Sequence, residues 1–206
     1  LSCVPSIKDP WSIMTIDLDA ILVAIKIATN GNELDIETNC PACKEDSKFG
    51  VNLSIILNNF QPGDYSKTLD LKDLKIKFRP LCYKELTEST IRQFEIQKAL
   101  MSVNTMDEGP EREAKQNEIL KIITATTIEV LAHTIEFIKT PEVEVAEKNY
   151  IIDFLENTDK NTFELIRETS VKLRETTQTQ PLKIKCVHCQ HDYEQTFTLN
   201  VSDFFA

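Results

Sequence analysis

The sequence predicts an α+β protein in which strand hairpins from both ends of the chain flank a largely helical middle. Three observations predict it. Short stretches with period-two alternation occur before Pro80 and again after Pro181. Matching C-x-x-C pairs, Cys40-Pro41-Ala42-Cys43 and Cys186-Val187-His188-Cys189, sit among those stretches. From Tyr83 to Thr176 the apolar residues recur at helical spacing instead. The expected organisation is a discontinuous β region with an N-terminal helix, residues 1–82 and 177–206, and a helical insert, residues 83–176.

The elements follow in order. Leu1 to Ser12 carries Pro5 and Pro10 and reads as irregular, with Trp11, Ile13 and Met14 as anchors. Asp17 to Thr29 reads as a helix. Asp17 is its N-cap and Asn30-Gly31 its stop. Leu18, Ile21, Leu22, Ile25 and Ala28 form an apolar stripe, and Val23 and Ile27 widen it, so the helix should be buried on more than one side. Glu33 to Thr38 and Lys48 to Leu53 alternate as two strands around the first C-x-x-C. Ser54 to Phe60 fits one helical turn, and Leu71 to Arg79 a third strand ended by Pro80.

The middle reads as four helices. Lys84 to Val103 is the first, with Leu86, Ile91, Phe94, Ile96, Leu100 and Met101 as core candidates. Asp107-Glu108-Gly109-Pro110 breaks the chain. Glu111 to Lys139 is expected to be the longest helix, with Ile119, Leu120, Ile123, Ile128, Leu131, Ile135 and Ile138 on its apolar face. Its β-branched run from Ile122 to Ile128 is poor in helix propensity, so packing must hold it. Val143 and Val145 fit a short extended piece. Lys148 to Asn157 and Asn161 to Glu175 complete the helices. Leu182 to Lys185 and Tyr193 to Leu199 then flank the second C-x-x-C as strands. Phe204 and Phe205 near the end are candidates for docking on the core or on a partner.

Composition narrows the function classes. A formal net charge of −10 and a pI near 4.9 argue against a broad nucleic-acid footprint, which needs clustered Lys and Arg. No apolar run approaches the roughly 18 residues of a membrane span. No signal-peptide pattern is visible. No phosphate-binding glycine loop, nucleophile elbow, H-E-x-x-H or paired acid/base carboxylates stand out, so neither an enzyme nor a small-molecule substrate is expected. Beginning at Leu1 rather than Met, the chain reads as lacking N-terminal residues.

Four of the six cysteines fall in the two C-x-x-C pairs. Without an export signal this pattern reads as metal ligation before disulfides. Zn²⁺ prefers four thiolate or imidazole ligands in a closed structural site, and two hairpin turns bearing C-x-x-C complete such a shell. Cys40, Cys43, Cys186 and Cys189 are therefore the expected ligands of one structural Zn²⁺ in a zinc-ribbon-like arrangement that joins the two ends of the chain. The long gap between the pairs is a folded insert, whose closure costs little. One departure stands out: ribbon turns often place Gly after the second Cys, and here those positions are Lys44 and Gln190.

Alternatives remain beside this reading. Thioredoxin-type chemistry needs a helix directly after the C-x-x-C, and neither pair has one. Two disulfides are a further possibility. His188 or His191 is placed to replace a cysteine ligand. Cys3 and Cys82 read as small buried hydrophobes, and His133 as a structural histidine in the long helix. Lys183, Lys185, His188 and His191 cluster around the second turn. They support an alternative function as a zinc-ribbon nucleic-acid-binding or transcription-associated protein, which the acidic balance disfavours.

Several stretches together carry a resemblance. They are Ile16 to Asp19, Ala24 to Glu33, Cys40 to Cys43, Lys77 to Leu81, and Cys186 to Cys189 followed by Asn200 and Asp203-Phe204-Phe205. This set, in this order over nearly the whole chain, resembles the baseplate hub or hub-assembly proteins of T-even-type contractile-tailed bacteriophages. The resemblance implies a non-enzymatic structural or chaperone-like assembly component of the baseplate hub. Its implied partners are other phage baseplate and tail proteins. Its implied location is the host cytoplasm during assembly and the tail baseplate of the virion.

Overall fold

The structure, a computed structural model, describes residues 4–177 and 181–195. Cys3, the Thr196 to Leu199 part of the last expected strand, and Phe204 and Phe205 lie outside the described residues. The chain forms two compact units. One comprises residues 1–6, 16–63 and 175–206, and the other residues 7–15 and 64–174.

The first unit begins with helix α1, Thr15–Asn30. It starts two residues before the expected N-cap, so Asp17 sits in the first turn, where its charge favours the positive end of the helix dipole. Gly31 stops it at φ +90°, its N–H donating to Ile27 at 3.1 Å. Strands β1, Glu33–Asn39, and β2, Asp46–Asn52, pair antiparallel from Glu33 opposite Asn52 to Asn39 opposite Asp46. Asn52 then caps helix α2, Leu53–Asn59, its side-chain oxygen accepting from the N–H groups of Ser54 and Ile55. After the second unit the chain returns as a second hairpin, β7, Leu182–Lys185, and β8, Asp192–Gln195.

Among the described residues the core of this unit is small. Val23, Leu53 and Ile56 are its buried cluster, with Ile27, Leu34, Ile36 and Leu182 packed against them. On α1 only Val23 and Lys26 are buried. The expected stripe of Leu18, Ile21, Leu22 and Ile25 is half-buried, and Ala28 is exposed.

The second unit is built on a four-stranded antiparallel sheet in the order β3-β4-β5-β6. The expected third strand is β4, Leu74–Phe78; a further strand, β3, Thr68–Leu71, precedes it and pairs with it through a turn at Lys72, whose φ is 44°. Helix α3, Tyr83–Asn104, and helix α4, Pro110–His133, follow. The expected long helix ends there. Ile135–Lys139 is strand β5, which pairs with β4 and then with β6, Glu144–Val145. Helices α5, Lys148–Asn157, and α6, Lys160–Thr176, complete the unit. Ile76, Phe78, Ile135 and Ile138 of the sheet form one core with Ile128, Leu131 and Ala132 of α4, Ile151 and Leu155 of α5, and Ile166 of α6.

Helix α3 departs from expectation in its burial. Leu86, Ile91, Phe94 and Met101, expected in the core, are exposed, while Ile96 and Leu100 are half-buried. The reason is geometric: α3 packs along one side, against α4, and among the described residues its other side is largely uncovered beyond Tyr83, which meets Trp11. Leu120 of α4 is exposed for the same reason, although Ile119, on its packed side, is buried.

A polar cluster ties the α3 start to the α4 end. The Glu85 carboxylate pairs with the Arg79 guanidinium, accepts from the Cys82 N–H at 2.9 Å, and lies 3.0 Å from His133 Nδ1. Burial pushes the Glu85 carboxyl up. The Cys82 N–H and the Arg79 charge outweigh it and hold the group below its ordinary value. Lys148 Nζ donates to the carbonyls of Ala132 and Ile135, and burial pushes it down to about 8. Cys82 is thus a half-buried residue at a helix start rather than a core hydrophobe.

Candidate metal centre

Each C-x-x-C occupies the turn of a hairpin, and the two turns are built alike. In the first, the Lys44 N–H donates to the Cys40 carbonyl at 2.9 Å and the Cys40 N–H to the Glu45 carbonyl at 3.0 Å. In the second, Gln190 donates to Cys186 at 3.0 Å and Cys186 to His191 at 2.9 Å. The residues after the second cysteines, Lys44 and Gln190, adopt φ of 64° and 62°. They occupy the left-handed conformation that glycine would adopt freely. The turn geometry therefore persists without its usual residue. In the first turn Asn39 braces it, its side-chain amide donating to the Lys44 carbonyl at 2.7 Å and to Asp46 Oδ1 at 3.0 Å.

The two turns meet. Cys40 Sγ lies 3.6 Å from Cys189 Sγ, and Cys43 Sγ lies 3.7 Å from Cys186 Sγ. All four sulfurs fall within 4.8 Å of one another. The hairpins are also linked beside the sulfurs. Thr38 of β1 donates to Gln195 Oε1 at 3.3 Å and lies 3.2 Å from the Tyr193 hydroxyl, both on β8. No spacing rule in the sequence points to Thr38, Asn39, Tyr193 or Gln195. Their roles emerge only once the two hairpins face each other.

The donor set fits a metal ion. Four thiolates around an ion at about 2.3 Å would stand roughly 3.8 Å apart at the corners of a tetrahedron. The short sulfur–sulfur distances match that edge. All four cysteines are free thiols, with Cys40 and Cys186 buried, Cys43 half-buried and Cys189 exposed. A shell of four protein sulfurs also leaves no open position for a substrate. Among the described residues this is the one group of His, Cys, Asp and Glu side chains close enough to hold an ion. His188 and His191 are not in it. The His191 ring stacks on Tyr193, with centroids 6.5 Å apart.

The electrostatics divide the cysteines within each turn. The Cys43 N–H aimed at Cys40 holds that thiol down to about 6, and the Cys189 N–H lowers Cys186 in the same way. At Cys43 the Glu45 N–H acts to lower the thiol, but burial and the neighbouring sulfurs push it up to about 12. Cys189 rises similarly, against the lowering effect of the His191 N–H. Four sulfurs this close cannot all ionise together without a cation, and a divalent ion at their centre would release the remaining protons.

Fold and site together define an α+β protein whose two terminal hairpins bring four cysteines into one ribbon-like cluster. The model of the family described as T4 bacteriophage base plate protein matches residues 1–206, and the chain belongs to that family. No curated protein and no solved structure matches it. Among the described residues no helix is long and apolar enough to cross a membrane.

Proposed function

We propose that this chain is a structural or assembly component of the phage baseplate hub, and that Cys40, Cys43, Cys186 and Cys189 hold one structural Zn²⁺. The observation that carries the metal is the sulfur cluster itself, with Sγ pairs at 3.6 and 3.7 Å from cysteines at opposite ends of the sequence. Zinc is favoured over other ions because an all-thiolate tetrahedral shell is its characteristic structural site. The bound ion supplies charge and cross-linking alone. The chain's own groups do the rest: the Cys43 and Cys189 N–H groups stabilise the thiolates of Cys40 and Cys186, and Thr38 locks the hairpins beside them.

The small core of the first unit supports the same reading. A unit with so few buried aliphatic residues among those described is of the kind that metals or disulfides staple. Membership of the baseplate family supports a structural role in the baseplate, with other tail and baseplate proteins as partners; the place in the hub and action by binding rather than catalysis are part of the proposal. Its place is the host cytoplasm during assembly and the baseplate of the virion.

Two measurements test this reading. Elemental analysis of the purified chain should find one zinc per chain, and a chain that folds with no metal would overturn the site. Affinity capture from phage-infected cells should recover baseplate proteins. Salt-dependent binding to DNA or RNA, with no tail protein recovered, would favour instead the nucleic-acid role of exposed Lys183, Lys185, His188 and His191.

A further inference from the structure

Helix α3 is packed on one side and, among the described residues, largely uncovered on the other. Its buried residues, Ser89 and Val103, share a side with Arg92, whose guanidinium pairs with Glu129 of α4. At 3.6 residues per turn, Tyr83, Phe94 and Met101 align within roughly 20° of one another on the opposite side. Leu86 and Ile91 flank them. Phe94 is 67% exposed and Met101 69%. Trp11 stacks on Tyr83, with ring centroids 5.3 Å apart, and extends the stripe at its N-terminal end. Solvent-facing helix positions are ordinarily polar, so an apolar row about 27 Å long marks a surface meant to be covered.

We propose that this stripe pairs with the same stripe of a second copy of the chain, the two α3 helices running antiparallel about a two-fold axis near Arg92. The stripe is self-complementary about that point. Tyr83 and Met101 lie equally far from Arg92 along the helix. The axis therefore sets Trp11 and Tyr83 of each copy against Met101 of the other, a thioether on aromatic rings. It also brings Ile91 and Phe94 to the centre against their own counterparts.

The area is sufficient. Six large apolar side chains, three of them aromatic, expose roughly 600 Å² per copy. With a polar rim this approaches the about 800 Å² per partner of a standard interface. Charge does not oppose the contact. Of the residues interleaved on the stripe, Thr87, Thr90 and Gln97 are uncharged and Lys98 is charged. Lys98 stands six residues from the level of the axis, so the two copies of it lie about 18 Å apart along the helices and set no like charges against each other.

Sedimentation of the zinc-loaded full chain at micromolar concentration tests the proposal. The expected mass is twice the 23.6 kDa of the chain. Phe94→Glu and Met101→Glu should each weaken self-association at least tenfold, on the order expected for a hot spot. Both side chains are exposed, so helix content should be unchanged. A photoreactive residue in place of Tyr83 should cross-link to the peptide containing Met101 of the second copy. A chain that stays monomeric throughout, a dimer indifferent to Phe94→Glu, or cross-links that map outside α3 would overturn the proposal. So would a monomer whose stripe is covered by another baseplate protein.

Discussion

Lys44 and Gln190, one in each cysteine turn, share the same left-handed backbone, with φ of 64° and 62°. Neither is glycine, and each N–H closes its turn onto the carbonyl of the first cysteine. A left-handed conformation costs an L-residue about 1–2 kcal/mol. Lys44→Gly and Gln190→Gly should each raise the stability of the metal-bound chain by up to about 1 kcal/mol, less than the full strain because glycine also loosens the unfolded chain. Lys44→Val should lower it. Denaturant unfolding with metal present reads both signs, and a glycine variant that unfolds more easily would contradict the assignment.

The four cluster cysteines should behave as a set. Cys40→Ser or Cys186→Ser is expected to remove the metal and lower the melting temperature, because either change breaks a four-sulfur shell. Cys82→Ser should leave the metal content unchanged, since Cys82 lies in the second unit at the start of α3. Metal analysis beside thermal melting separates the two classes. A full metal complement in Cys40→Ser would remove Cys40 from the ligand set.

Glu85 should give the second unit an acid-sensitive component. Its carboxyl is held below its ordinary value of 4.5, so the unfolded chain takes up a proton at higher pH than the folded chain does. The stabilisation is therefore present above the unfolded value and is lost as pH falls through the lower folded value. Glu85→Gln removes the Arg79 pair and the carboxylate that accepts from Cys82. It should cost about 2 kcal/mol at neutral pH and flatten the acid limb. Unfolding curves from pH 7 downward check this, and an unchanged acid limb in the variant would exclude Glu85 as its source.

Ile135→Ala should cost about 3 kcal/mol, because Ile135 is fully buried in the sheet–helix core and truncation leaves a cavity there. The metal site should survive it, as the four cysteines belong to the other unit. Chemical denaturation followed by metal analysis of the folded variant tests both parts.

Ile135 also explains where the sequence was hard to read. The α+β class and the cysteine cluster were legible because they rest on strict patterns, two C-x-x-C pairs set among period-two stretches. Ile135–Lys139 was not. Ile135 and Ile138 both face the core although they stand three apart, which is helical spacing. The structure achieves this with a register shift: Ile138 opposes Ile76 and Ile135 opposes Phe78, so β5 carries one more residue than β4 across that span. A bulge of this kind imitates a helix in the sequence. The strand expected at Leu71 to Arg79 is β4, and β3 before it was missed because the turn between them, at Lys72, lacks glycine and asparagine. Phe94 and Met101 were misplaced for a third reason. Periodicity identifies an apolar face, but does not say whether the chain itself supplies the surface that covers it.

The discontinuity of the first unit sets an order of events during synthesis. Cys40 and Cys43 leave the ribosome before residues 64–174, and Cys186 and Cys189 after them. At 5–20 residues per second the first pair waits roughly 7 to 30 seconds for the second. Throughout that interval the nascent chain carries two thiols with half a shell, and the second unit completes its sequence before the second pair emerges. The first unit closes last, and metal supply or oxidation in the cell acts on the chain in that window.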